Sequence, residues 1–179
     1  IKKGHDLKIS GVPDKNIAYP SQYSTVAILP NDFIGVKPKL LVKEGDKLKI
    51  GSPLFYNKIN PDVKWASPGC GKVKNIVYGP RRVIEKIEID LDKDQDSIDY
   101  KAHTNEEISK LSGEQVLEEI LKANLFTYFR QRPFNVIPNH KIPPRDIFIS
   151  GLNTGPLSVD LEVVMAGQLE NFQNGINAI

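Results

Sequence analysis

One cysteine, one tryptophan, one methionine and three histidines in 179 residues exclude several chemistries at the outset. Cys70, alone, cannot close a disulfide within the chain, nor hold an iron–sulfur cluster, which takes about four thiolates. Its plainest role is that of a small buried residue in a tight turn, in a reducing, cytoplasmic setting. His5, His103 and His140 stand far apart in sequence, without the spacing that brings imidazoles to one metal. No serine sits in a G-x-S-x-G elbow, and no Walker-type phosphate loop is present. No apolar run approaches the roughly 20 residues that cross a bilayer, and the opening I-K-K-G-H-D has no signal-peptide character. An excess of one charge is also missing: 24 Lys and Arg against 22 Asp and Glu leave a formal +2, too little for a nucleic-acid footprint. Any membrane association is therefore expected to come through a partner.

What remains is a globular balance, 40% apolar and 26% charged, in a length that suits one medium domain or two small ones. Residues 1–100 read as a β module of short strands: the apolar runs 26–29, 40–42 and 48–50 each lead into a turn cluster, P-N-D, K-E-G-D and G-S-P. The clearest strand alternates Val83, Ile87, Ile89 and Leu91 with Ile84, Lys86, Glu88 and Asp90, one apolar face and one mostly charged. Asp90, Asp92, Asp94 and Asp96 alternate like calcium ligands. However, Gln95 or Ser97 stands where the turning glycine must be and the closing glutamate is missing, so the stretch reads as a solvated linker.

Residues 101–135 read as a helical connector. Thr104 with Glu107, and Ser112 with Gln115, fit the capping box, in which side chain and backbone satisfy each other's free N–H groups. Val116, Leu117, Ile120 and Leu121 then form a helical stripe with a stop near Asn124, and 125–132 make a short aromatic-rich helix or turn ended by Pro133. Residues 135–145, with three prolines, read as a linker. Ile147, Phe148 and Ile149, bounded by Ser150-Gly151, suggest a buried strand, and Leu169, Phe172, Ile176 and Ile179 share one helical face. Neither has much later chain to pack against, so 136–179 is expected to be the beginning of a truncated α/β, Rossmann-like domain. The fold class is thus mixed α and β.

The run V-K-E-G-D-K-L-K-I-G-S-P-L (42–54), followed by A-S-P-G-C-G-K-V (66–73), resembles the hammerhead of biotinyl and lipoyl domains, which implies a barrel-sandwich hybrid. Gly45 and Gly51 permit turns at positive φ, and Asp46 can bond nearby backbone. Carrier domains present an acceptor lysine at a hairpin tip, after Asp or Met. Here the sole candidate, Lys58, follows Asn57, lies ten residues before Pro68, and precedes an apparent tip at Asn60-Pro61-Asp62. No prosthetic-group lysine is therefore expected.

The likeness extends further. K-G-H-D-L (3–7), G-V-K-P (35–38), the hammerhead, R-R-V (81–83), L-F-T-Y-F-R-Q-R-P-F (125–134) and D-I-F-I (146–149) together resemble the A subunit of the Na+-translocating NADH:quinone reductases, over essentially the whole chain but only the N-terminal part of that family's length. That family is in turn similar to the C subunit of Rnf complexes and to the flavin-bearing subunit of complex I. The resemblance implies a peripheral subunit on the cytoplasmic side of the bacterial inner membrane. It would dock on the membrane-embedded subunits of a respiratory complex that passes electrons from NADH to ubiquinone or another quinone and exports Na+. FAD, FMN, riboflavin and iron–sulfur centres would sit in other subunits, and this chain would not be catalytic alone.

The flavin-bearing relatives cradle phosphate on G-G-A-G-F-P-T, whose bare backbone offers N–H groups. The equivalent stretch here is F-R-Q-R-P-F (129–134), without a glycine. Their acidic N-A-x-E-x-E-P signature corresponds to S-G-L-N-T-G-P (150–156), without an acid. The chain is therefore expected to bind no redox cofactor of its own. Phe129, Arg130, Arg132 and Phe134 are its quinone-region candidates, because aromatic rings and guanidinium suit a flat ring with carbonyls. A plainer reading makes Phe126, Phe129 and Phe134 core, with the arginines solvated or paired. For the chain as a whole, two rival functions are a carrier or adaptor module modified on Lys58, and an Rnf-type C subunit.

Overall fold

The computed structural model describes residues 8–11, 14–17, 23–151, 155 and 158–179. The K-G-H-D-L motif with His5, and residues 152–154 and 156 of the second signature, lie outside them. The chain divides into two units, one of Gln22–Pro143 and one of Ile1–Ser21 with Pro144–Ile179.

In the first unit the short apolar runs become strands. One sheet sets β1 (Thr25–Ile28), β7 (Ile84–Leu91), β6 (Gly71–Tyr78) and β3 (Lys47–Leu48) side by side in that order. The other sets β2 (Pro38–Leu40), β4 (Pro53–Asn57) and β5 (Asn60–Ala66). Neighbouring strands pair antiparallel throughout. Leu54, Phe55, Val63, Val73, Ile87 and Ile89 from both sheets are fully buried in one core. Trp65 stacks on Phe55 at 4.9 Å, with Phe33 tilted against it at 5.2 Å. Burial of each such side chain stabilises by about 1.5–3 kcal/mol, which is what holds strands this short together. The hammerhead turns form as expected: Gly45 and Gly51 take φ of 90° and 92°, and the Asp46 carboxylate accepts the Lys43 N–H at 2.9 Å.

The parity of β7 departs from simple alternation. Ile84 is buried and Val83, expected on the inner face, is exposed. Val77 pairs with Lys86 but Tyr78 with Ile84, so Glu85 is an extra residue, and a bulge of this kind reverses the facing of all that precedes it. Lys74 does the same in β6, where Val73 opposes Ile89 and Asn75 opposes Glu88, so that Val73 and Ile76 both point inward.

The aspartate-rich stretch is not a free linker. Gln95 accepts the Cys70 N–H at 2.9 Å and donates to the carbonyls of Cys70 at 3.0 Å and Asp92 at 2.7 Å. Ile50 and Ile98 add backbone bonds at 2.9 Å, Ile50 N–H to the Asp96 carbonyl and Ile98 N–H to the Ile50 carbonyl. The acids face separate cations: Asp90 meets Lys74 at 2.8 Å and Asp96 meets Lys49 at 2.6 Å. Those lysines hold both carboxyls below the usual carboxylate range.

Both capping boxes form. Thr104 and Glu107 open α1 (Asn105–Ile108) with bonds of 2.9 and 3.3 Å, and Ser112 and Gln115 open α2 (Gly113–Lys122) with the same pair of lengths. The Thr104 N–H, and then Lys101, keep the Glu107 carboxyl ionised to lower pH than an ordinary glutamate. Leu117, Ile120 and Leu121 of α2 pack on the barrel core, so the connector belongs to the same body as the strands.

Among its described residues the second unit holds two helices, α3 (Leu161–Met165) and α4 (Leu169–Ala178). Ile147, Phe148 and Ile149 form no strand and are exposed, contrary to the expected buried strand. A central strand needs hydrogen-bonding neighbours on both sides, and the described residues of this unit contain no other strand. Leu169, Phe172, Ile176 and Ile179 leave the apolar face of α4 exposed. No helix among the described residues is long and apolar enough to cross a membrane.

Candidate functional site

The 125–136 segment, which holds the four quinone-region candidates, is aimed by the end of α2. Asn124 takes φ 59° there, its N–H donates to the Leu121 carbonyl at 3.0 Å, and the Leu125 N–H donates to the Ile120 carbonyl at 2.9 Å. This pair of bonds is the Schellman stop, for which asparagine is the usual non-glycine residue. The Asn124 side chain then donates to the Gly51 carbonyl at 3.1 Å, fastening the helix end to a barrel turn.

From that anchor the chain makes a 3-10 turn, Phe126–Tyr128. With three residues per turn, positions 126 and 129 share one side, and 125 and 128 share another. Phe126 is buried, 5.6 Å from Phe129 and edge-on to His140 at 6.1 Å, while Tyr128 is 80% exposed beside a half-exposed Leu125. Residues 131–136 then close on themselves, with a bridge between Gln131 and Val136, a 2.7 Å bond from the Gln131 N–H to the Val136 carbonyl, a cis Arg132–Pro133 peptide and Asn135 at φ 55°.

The four candidates therefore have different roles. Phe129 is half-buried against the core. The Arg130 guanidinium folds back to donate to the carbonyls of Thr127 and Phe129, bracing the turn from outside. Arg132 and Phe134 project from the loop, Phe134 with 77% of its surface in water. Of the three phenylalanines that the plainer reading places in the core, Phe126 is buried and Phe134 is not.

Two residues matter here beyond those four. Tyr128 stands out beside Leu125, and its alternation with Phe126 and Phe129 at 3-10 spacing is the signal that could have shown it. His140 is almost buried, its Nε2 is 3.3 Å from Asp62, and its Nδ1 has no hydrogen-bond partner. Its burial depends on chain folding back from residue 140 to residue 62, and nothing local announces that. Among the described residues, no three His, Cys, Asp or Glu side chains stand together as metal ligands.

Lys58 requires a correction. The β4–β5 hairpin turns at Lys58 and Ile59, with Asn57 paired to Asn60, and not at 60–62. The Asn57 carboxamide oxygen accepts the N–H groups of Ile59 and Lys37, each at 3.2 Å, which bends the chain before Pro61 is reached. Lys58 is thus an exposed side chain at a hairpin tip.

Comparison with known proteins meets this geometry directly. Residues 1–92 match the NqrA N-terminal barrel-sandwich hybrid domain, and residues 111–179 match the NqrA second alpha/beta domain. The chain belongs to the NqrA family. The A subunit of the Na(+)-translocating NADH-quinone reductase of Pseudomonas aeruginosa (strain UCBPP-PA14) is 38% identical over 179 residues, all of this chain and 40% of that protein. The proteins of the same name from Yersinia pestis bv. Antiqua (strain Angola) and Haemophilus influenzae (strain PittGG) are 38% and 34% identical over the same shares. The chain thus spans about two fifths of the length of these family members. The barrel-sandwich and α/β assignments agree with the family's two domains. The packed body of Gln22–Pro143 runs past the first of these matches because α2 lies on the barrel.

Proposed function

We propose that this chain is the docking and shaping portion of the A subunit in a Na+-translocating NADH:quinone reductase. Its parts are a barrel-sandwich module (1–100), a connector (101–135) and the opening of an α/β domain (136–179). It is peripheral on the cytoplasmic side of the inner membrane, docks on the membrane-embedded subunits, and contributes a wall to the quinone region. It carries no redox cofactor of its own; FAD, FMN, riboflavin and iron–sulfur centres belong to other subunits. The observation that carries the reading is the braced loop with Tyr128, Arg132 and Phe134 outward; the resemblance sets this loop against the bare glycine backbone of flavin-bearing proteins. Phe134 in water forgoes about 2 kcal/mol that a partner or ligand would recover.

In the intact complex, Arg132→Ala and Phe134→Ser are expected to raise the apparent KM for quinone roughly 5- to 10-fold, as loss of a cation–π or ring contact of about 1 kcal/mol would. Stability should stay within about 0.5 kcal/mol, because both side chains are exposed. An unchanged KM removes the quinone role, and a purified complete subunit with stoichiometric FMN removes the cofactor-free role. A second reading, a carrier lysine, gains the position of Lys58 at the hairpin tip. Intact mass decides it: a lipoyl or biotinyl increment abolished by Lys58→Arg would establish that role.

A further inference from the structure

The tip of the β6–β7 hairpin, G-P-R-R-V (79–83), carries a residue choice that the fold does not explain. Arg81 and Arg82 have φ of 56° and 59°, and the Val83 N–H donates to the Pro80 carbonyl at 3.3 Å. Two successive left-handed residues closed by that bond make a type I′ turn, whose natural occupants are Asn-Gly. A side chain with a Cβ is strained at both positions, and arginine lacks the short polar group with which asparagine bonds its own backbone. Among the described residues neither guanidinium has an ion pair or a hydrogen bond, so no side-chain contact among them offsets that strain. Glu85 lies close by, but its carboxylate packs against Gly79. Tyr78 and Val83 flank the pair as exposed apolar side chains. Strain kept at an exposed turn, for side chains that do nothing locally, points to a use outside the molecule.

We infer that Arg81 and Arg82 form a docking element for carboxylates on an acidic protein surface, that of a neighbouring subunit. This rests on the proposed peripheral role. A membrane surface fits less well. Polybasic segments that hold proteins on anionic lipid gather about four to eight Lys or Arg, whereas this tip has two. Two guanidinium forks on adjacent residues of one turn instead suit carboxylates, each of which a fork can bind bidentately.

The test is the double variant Arg81→Asn/Arg82→Gly in the complete subunit. Because it restores the preferred turn residues, its Tm should rise, by roughly 2–5 °C. Its retention on membranes that hold the other subunits but lack this one should fall about 10- to 100-fold, as for truncated interfacial ion pairs. Vesicles of mixed phosphatidylglycerol and phosphatidylcholine should bind parent and variant alike. A raised Tm with weakened retention supports the inference. Full retention by the variant overturns it, as does a lowered Tm, which would make the arginines structural. A loss of vesicle binding that matches the loss of retention assigns the pair to lipid and also overturns it. If the unmodified subunit is itself not retained, the peripheral role falls with it, and the parent control separates the two failures.

Discussion

Gly71→Ala is expected to destabilise the barrel module by about 3 kcal/mol or more, a large share of an ordinary domain's stability. A Cβ at this position would lie 1.9 Å from the Asp90 carbonyl oxygen and 3.0 Å from the Leu91 Cα. Both belong to the backbone of β7, which is paired with β1 on one side and β6 on the other, so neither can retreat without opening a ladder. Gly69→Ala is the control. Its Cβ would meet the Leu91 Cδ2 at 2.3 Å, the end of a side chain that can rotate, and a loss of only about 1 kcal/mol is expected. Urea unfolding followed through Trp65, the only tryptophan, measures both. Equal midpoint shifts for the two variants would mean that contact with the β7 backbone is not the cause.

Phe126→Ala is expected to cost about 3–5 kcal/mol, the range for removing a buried phenylalanine. Its effect would reach further than the cavity, because this ring is the inward anchor of the 125–136 loop, held against Phe129 and His140. Proteolysis within that loop should accelerate along with the fall in stability. Tyr128→Ala, two residues away on the outward side, should change stability by no more than about 0.5 kcal/mol. If the two substitutions cost the same, the division into inner and outer rings is wrong.

That division also marks how far the sequence alone could go. Capping boxes join a side chain to backbone three residues away, and the Asn124 stop closes backbone bonds within five residues, so both could be read directly. The hammerhead was legible because its glycines and Asp46 set turns by their own chemistry. The facing of Ile84 and Val83 was not, since a bulge at Glu85 is a property of pairing with β6. The Gln95 clasp joins residues 25 apart, and the hairpin tip at Lys58 depends on one carboxamide reaching Lys37. Ile147, Phe148 and Ile149 show the opposite failure: an apolar triplet suits a strand, but pairing needs neighbours. In the candidate site, the wealth of rings and guanidinium groups was visible, whereas the inward turn of Phe126 follows from 3-10 geometry set by the helix before it, and the outward reach of Phe134 from the 131–136 loop that the Gln131–Val136 bridge closes.

Gln95 ties down the backbone at Cys70 and leaves that residue 7% exposed, so the chain carries one thiol that is silent while the seam stays shut. A disulfide reagent added to native protein will react only with molecules caught open. The speed of colour development then counts spontaneous breathing of the barrel against its resting state, with no label introduced.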